Sequence, residues 1–131
     1  LASHPSIVAT GESKALQGYP PAYSTGHEKD TIWPKYKDKS LCELGIIENG
    51  VNDLVTRIKS DNPIIASIAP LTNIARVIEI DPSLDTSDTQ VYVMGGRLGK
   101  PEHNFRHDIE AARKVLDSNL DLVIITEGLL K

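Results

Sequence analysis

The 131 residues, 40% hydrophobic and 24% charged with a net charge of −4, suffice for one domain that buries roughly two thirds of the surface its unfolded chain exposes. No run of about 18 apolar residues is present to cross a membrane. In this acidic chain the basic residues are scattered, and the one modest group, Lys29, Lys35, Lys37 and Lys39 near Trp33 and Tyr36, reads as a solvated loop rather than a nucleic-acid surface.

In chain order, the first predicted strand is Ser6 to Thr10 (SIVAT). Residues 11–45 are rich in Gly, Pro, Tyr and Lys, show no clean period, and are expected to form a long irregular loop of the kind that serves a function or wraps over something. Within it, the lone Cys42 excludes an internal disulfide and paired-thiolate zinc sites and favours a reducing, cytoplasmic setting. Residues 1–11 carry no secretory pattern.

Val51, Leu54, Val55 and Ile58 recur at i, i+3, i+4 and i+7 and predict a helix closed by Asn62-Pro63. Ile64 to Ala69 (IIASIA) is the second strand. Leu71, Ile74, Ala75 and Ile78 predict a second helix, opened by Pro70 and closed by Asp81-Pro82. Val91 to Met94 (VYVM) is the third strand. Ile109, Ala112, Val115 and Leu116 mark a third helix with Asp108 and Glu110 in its opening turn, and Leu120 to Thr126 (LDLVIIT) is the fourth strand. The last three strands are nearly continuous apolar runs, the pattern of strands covered on both faces. The alternation predicts an α/β fold: a Rossmann-like, mostly parallel sheet with right-handed crossovers and helices on both faces, in one domain over residues 1–131.

Ligands of such sheets sit beyond the carboxyl ends of the strands, so the loops at 69–73, 95–104 and 126–128 are the candidate site. Thr72 and Asn73 are read first as caps for free backbone N–H groups. Gly95-Gly96 lacks the spacing of a phosphate-binding loop. Glu102 and Asn104 flank His103, and in an extended loop their side chains point the same way. A carboxylate beside a carboxamide suits the neighbouring hydroxyls of a sugar, with a plain charged surface loop as the competing reading. His27, His103 and His107 are read as solvated, with no H-x-x-x-H pair on one helix to chelate a metal. Asp108 is read as a charge serving the helix dipole.

Together, Ala69-Pro70-Leu71-Thr72-Asn73-Ile74-Ala75, Asp81-Pro82, Val93-Met94-Gly95-Gly96, Glu102-His103-Asn104 and Asp108-Ile109-Glu110-Ala111-Ala112 resemble, in order and spacing, the central part of the inosine-uridine-preferring nucleoside hydrolases over residues 63–118. Gly26-His27 resembles the family's His-Gly loop. The resemblance implies hydrolysis of the N-glycosidic bond of purine and pyrimidine ribonucleosides, as in salvage, through an oxocarbenium-like transition state with Ca²⁺ holding the ribose diol and the attacking water. It implies that Met94 lines the ribose pocket, that Glu102, His103 and Asn104 meet the sugar, and that Ile68 offers its backbone carbonyl to the Ca²⁺.

Ala69 stands where the family has Gly, His103 where it has Phe, and Ile109 where it has Pro. The family's D-x-D-x-x-x-D-D cluster and its late His-Asp pair do not occur in these residues. The chain is therefore expected to contain no catalytic residue and no closed Ca²⁺ site of its own. It is expected to be part of a larger domain, a homo-oligomer when complete, that acts on ribonucleosides without a nucleic-acid or membrane partner. The alternative is a non-catalytic sugar- or nucleoside-binding module, or a structural partner, that has lost the Ca²⁺ site.

Overall fold

The computed structural model describes residues 6–16, 33–86, 88–99 and 102–127; Gly26-His27, Lys29 and Gly128 lie outside them. Strand β1 (Val8–Ala9) pairs in parallel with β2 (Ile46–Ile47). A second parallel sheet runs in the order β3 (Ile65–Ser67), β4 (Gln90–Arg97), β5 (Asp121–Glu127). The helices are α1 (Trp33–Tyr36), α2 (Gly50–Asp61), α3 (Thr72–Ile80), α4 (His103–His107) and α5 (Ile109–Leu116), with a 3-10 turn at Pro82–Thr86. Parallel strands alternating with helices confirm the α/β class. Three elements depart from the expected chain order: α1 interrupts the stretch read as irregular, β2 lies where no strand was expected, and α4 occupies a stretch read as extended loop.

The helices form where the apolar period places them. Val51, Val55 and Ile58 of α2 are buried with Val77 of α3 and Leu84 of the 3-10 turn. Ile74 and Ala75 of α3 join Val91 and Val93 of β4 and Ala111, Ala112 and Val115 of α5 in a second cluster. The buried face of α5 is rotated from the expected one, since Ile109 and Leu116 are exposed while Ala111 is fully buried. Helix α2 stops where Asn62 turns left-handed at φ 44° ahead of Pro63 and its N–H closes onto the Ile58 carbonyl.

Ile65, Val91 and Val93 all face these helices, so α2, α3 and α5 lie on one face of the second sheet. On the other face, Ala66 pairs with Tyr92 and Met94 with Ile125. Met94 is 47% exposed and Ile125 56%, and Ile64 and Ile68, in step with Ala66, are more exposed still. Among the described residues nothing covers this apolar face, and contiguous exposed patches of this kind drive association. The isolated chain is expected to self-associate in sedimentation velocity, and Ile64→Lys with Ile125→Lys to shift it toward monomer while changing stability by no more than about 0.5 kcal/mol. A wild-type chain that sediments as a clean monomer contradicts this.

Candidate functional site

The site is built on the carboxyl end of β4. Met94 lies opposite Ile125 but Arg97 lies opposite Glu127, so β4 carries one extra residue across Gly95-Gly96, a bulge that bends the strand end. Gly96 makes the bend in the left-handed region at φ 81°, where a side chain costs about 1 kcal/mol. Gly95 is required for another reason. A Cβ there would lie 2.4 Å from the Phe105 ring, so the glycine lets α4 seat its aromatic on the strand. Gly95→Ala is expected to cost about 1 kcal/mol or more through displacement of Phe105, read as a lowered thermal midpoint.

Glu102 and Asn104 both hold this strand end, in a different manner from the extended loop expected. Glu102 is the N-cap of α4: the Asn104 N–H donates to its Oε1 at 2.8 Å, and the N–H groups of Gly96 and Phe105 donate to its Oε2 at 3.1 and 3.2 Å. Asn104, two helical positions on, turns away from solvent and donates from Nδ2 to the Met94 carbonyl at 2.8 Å. It is 6% exposed. A helical start here replaces the two-residue repeat of a strand with about 100° per residue. The side chains therefore diverge, yet both terminate on Met94-Gly95-Gly96.

Partial burial pushes the Glu102 carboxyl up, but the N–H groups of Asn104, Phe105 and Gly96 and the charge of His103 together bring it below its ordinary value of 4.5. Asp81, paired with Lys59 and bonded by the Ser83 hydroxyl and N–H, is lowered from 3.8 to about 2. Both groups bind a proton less readily folded than unfolded. Their stabilisation is thus fully present above about pH 5 and is lost as pH falls through the folded values. The urea midpoint is expected to be flat from pH 7 to about 5 and to fall progressively toward pH 2. A midpoint that holds steady to pH 3 contradicts this.

Ile68 follows Ser67, the partner of Val93, and so stands beside Met94 at the end of the neighbouring strand. The structure thus groups Met94, Glu102 and Asn104 by direct bonds and sets Ile68 one strand away. His103 is exposed on α4. Contrary to the expectation of no H-x-x-x-H pair on one helix, His103 and His107 both lie on α4, their ring centroids 5.2 Å apart. A cleft of about 540 Å³ has Gly96 and Glu102 in its lining and is floored by Phe105, Ile109, Ala112 and Leu116. Its apolar floor suits a sugar poorly, and neither Met94 nor Ile68 lines it.

Behind the site lies a polar node that single-residue reading of the sequence missed. Asp108 is 2% exposed. It accepts from the Thr72 hydroxyl at 2.7 Å, from the Leu16 N–H at 2.9 Å and from the Ala111 N–H at 3.0 Å. It stands at the start of α5, where a charge serving the helix dipole was expected, and there it caps the helix and also ties α3 and the segment after β1 to it. Asn73 does not cap its own helix. Its Oδ1 accepts the Glu12 N–H at 2.8 Å, fixing the same segment from outside.

Ca²⁺ takes six to eight oxygen ligands. Among the described residues no group of three or more His, Cys, Asp or Glu side chains converges on a point that could hold a metal ion, and the Ile68 carbonyl is a single donor. These residues do not by themselves make a Ca²⁺ site. No helix among them is long and apolar enough to cross a membrane.

The family model described as inosine-uridine preferring nucleoside hydrolase matches residues 3–129, a wider span than the 63–118 carried by the motifs. No curated protein matches the chain. Among solved structures, the chain is similar to an inosine-uridine preferring nucleoside hydrolase from Bacillus anthracis, with 19% identity and a TM-score of 0.58. The alignment covers 92% of this chain and 45% of that one, so the chain spans less than half of the solved relative. At that identity the likeness speaks for the fold, and the family match over nearly the whole chain decides the rest: the protein belongs to the inosine-uridine preferring nucleoside hydrolase family.

Proposed function

We propose that this chain supplies the ribose-facing wall of a nucleoside N-ribohydrolase, with the metal ligands and the groups that activate water contributed by sequence outside the described residues. The observation that carries the reading is the double clamp on the end of β4, in which Glu102 takes the Gly96 N–H and Asn104 takes the Met94 carbonyl. Such a clamp fixes the positions of Met94, Glu102 and Asn104 before any ligand arrives, and preorganisation of this kind is what a binding site needs.

The chemistry of each group follows from its bonds. A carboxylate accepts about four hydrogen bonds, and Glu102 has three from the backbone, which leaves room for one sugar hydroxyl. Its lowered pKa keeps it an acceptor near neutral pH, which suits binding of a hydroxyl and not proton donation to a leaving base. The carboxamide Oδ1 of Asn104 accepts nothing from the described residues and is the second acceptor. Met94 presents a flexible apolar side chain to the sugar ring, with exposed His103 at the rim. Bound Ca²⁺ would supply a lowered water pKa and a grip on the ribose diol, with Ile68 giving at most one backbone oxygen.

Calorimetric titration of the complete polypeptide with inosine and with ribose, with and without a Ca²⁺ chelator, tests the reading. Metal-dependent binding that weakens in Asn104→Ala supports it. Binding that ignores the chelator favours instead a sugar-binding module without hydrolytic chemistry, a reading that the near-saturation of Glu102 by backbone donors also suits. Absence of binding to either ligand overturns both.

A further inference from the structure

We propose that His103 and His107 form a two-histidine site for a divalent transition ion of the Zn²⁺, Ni²⁺ and Cu²⁺ class. The site is separate from any Ca²⁺ chemistry and does not rest on the ribose reading. The two residues are four apart on α4, a spacing that stacks side chains on one helical face. Their rings are 5.2 Å apart between centroids and tilted by 33°. Two imidazoles bound through one nitrogen each, at about 2.1 Å, to a tetrahedral ion hold their ring centres roughly 5 Å apart. The observed centroid separation is of that size.

A five-residue helix would not hold this spacing alone. Here α4 is pinned at its start by the Glu102 cap and at its end by Asp108, which is bonded to Thr72, Leu16 and Ala111. Phe105, seated against Gly95, locks the opposite side. Arg106 precedes His107 by one residue and so projects about 100° away around the helix, clear of the pair. His103 is exposed and His107 half-buried, so an ion reaches both without opening the core. Neutral imidazole suits Zn²⁺, Ni²⁺ and Cu²⁺, whereas Ca²⁺ and Mg²⁺ require oxygen ligands. Among the described residues no third His, Cys, Asp or Glu side chain joins the pair.

Titration of the 131-residue chain at pH 7.5 with ZnCl₂, NiCl₂ and CuSO₄, followed by calorimetry, is the test, with CaCl₂ as control. One saturable site is expected, strongest for Cu²⁺ in keeping with the general order of divalent affinities and absent for Ca²⁺. His103→Gln and His107→Gln should each abolish it, with far-UV circular dichroism unchanged. Because either variant could unfold α4, the ring protons of the wild-type histidines provide a second readout: substoichiometric Cu²⁺ should broaden those of His103 and His107 before those of His4 and His27. Absence of saturable binding, binding retained in both single variants, or broadening that begins at His4 or His27 overturns the proposal.

Discussion

Asp108→Ala is expected to lower stability by about 3 to 5 kcal/mol, the largest effect of any single change considered. The substitution removes the acceptor for three donors at once: the Thr72 hydroxyl and the N–H groups of Leu16 and Ala111. Each donor left unsatisfied in the interior costs about 1 to 3 kcal/mol. The losses fall on three segments distant in sequence, so α3, α5 and the chain after β1 should loosen together. Asp108→Asn keeps one acceptor oxygen but turns an NH₂ group toward donors, and it should fall between wild type and alanine. Thr72→Val removes one donor and leaves the carboxylate two partners, for a loss of about 1 kcal/mol. Urea denaturation of the four proteins orders them; equal midpoints for wild type and Asp108→Ala would mean that the node does not bind the segments.

Glu102→Ala is the second. Loss of an N-cap costs about 1 kcal/mol, and release of the Gly96 N–H from the strand bulge adds to it, for about 2 kcal/mol in all. The effect should be local. Amide exchange should accelerate at Gly96, Asn104 and Phe105, the three N–H groups that lose their acceptor, and stay slow at Val91 and Val93 in the core. Glu102→Gln retains one acceptor oxygen and should protect part of this set. Uniform acceleration across β4 would show that Glu102 supports the whole sheet and not its end.

How much of this was legible in the sequence depends on the range of each interaction. Three helices and the main strands were readable because their apolar periods are local, and Asn62-Pro63 and Asp81-Pro82 end helices through their own backbone preferences. Helix α4 was not, because HNFRH is one turn long with a single large apolar side chain, too short for a period to show. Its signals were the 103–107 histidine spacing and the glycine pair that receives Phe105. Strand β2 is two residues long and exists through its pairing with β1. The Thr72–Asp108 bond joins residues 36 apart, and no local pattern encodes it. The strands read as covered on both faces, and β4 and β5 do carry apolar residues on both, while the described residues cover one. That composition fits a chain that spans 45% of its solved relative.

The motifs around the candidate site were readable as a set, and the family they resembled is the one to which the chain belongs. What the motifs could not convey was conformation. Glu102 and Asn104 were expected to share a direction and instead share a target, the end of β4.

The most direct measurement is ribose release from inosine and uridine by the complete polypeptide, comparing wild type with Asn104→Ala and Glu102→Ala under conditions where all three are folded. A wall that grips the sugar through both residues predicts a fall in kcat/KM of about a hundredfold or more for each, roughly 3 kcal/mol of lost transition-state binding. Unchanged turnover in both variants would contradict it and leave the clamp as scaffolding alone.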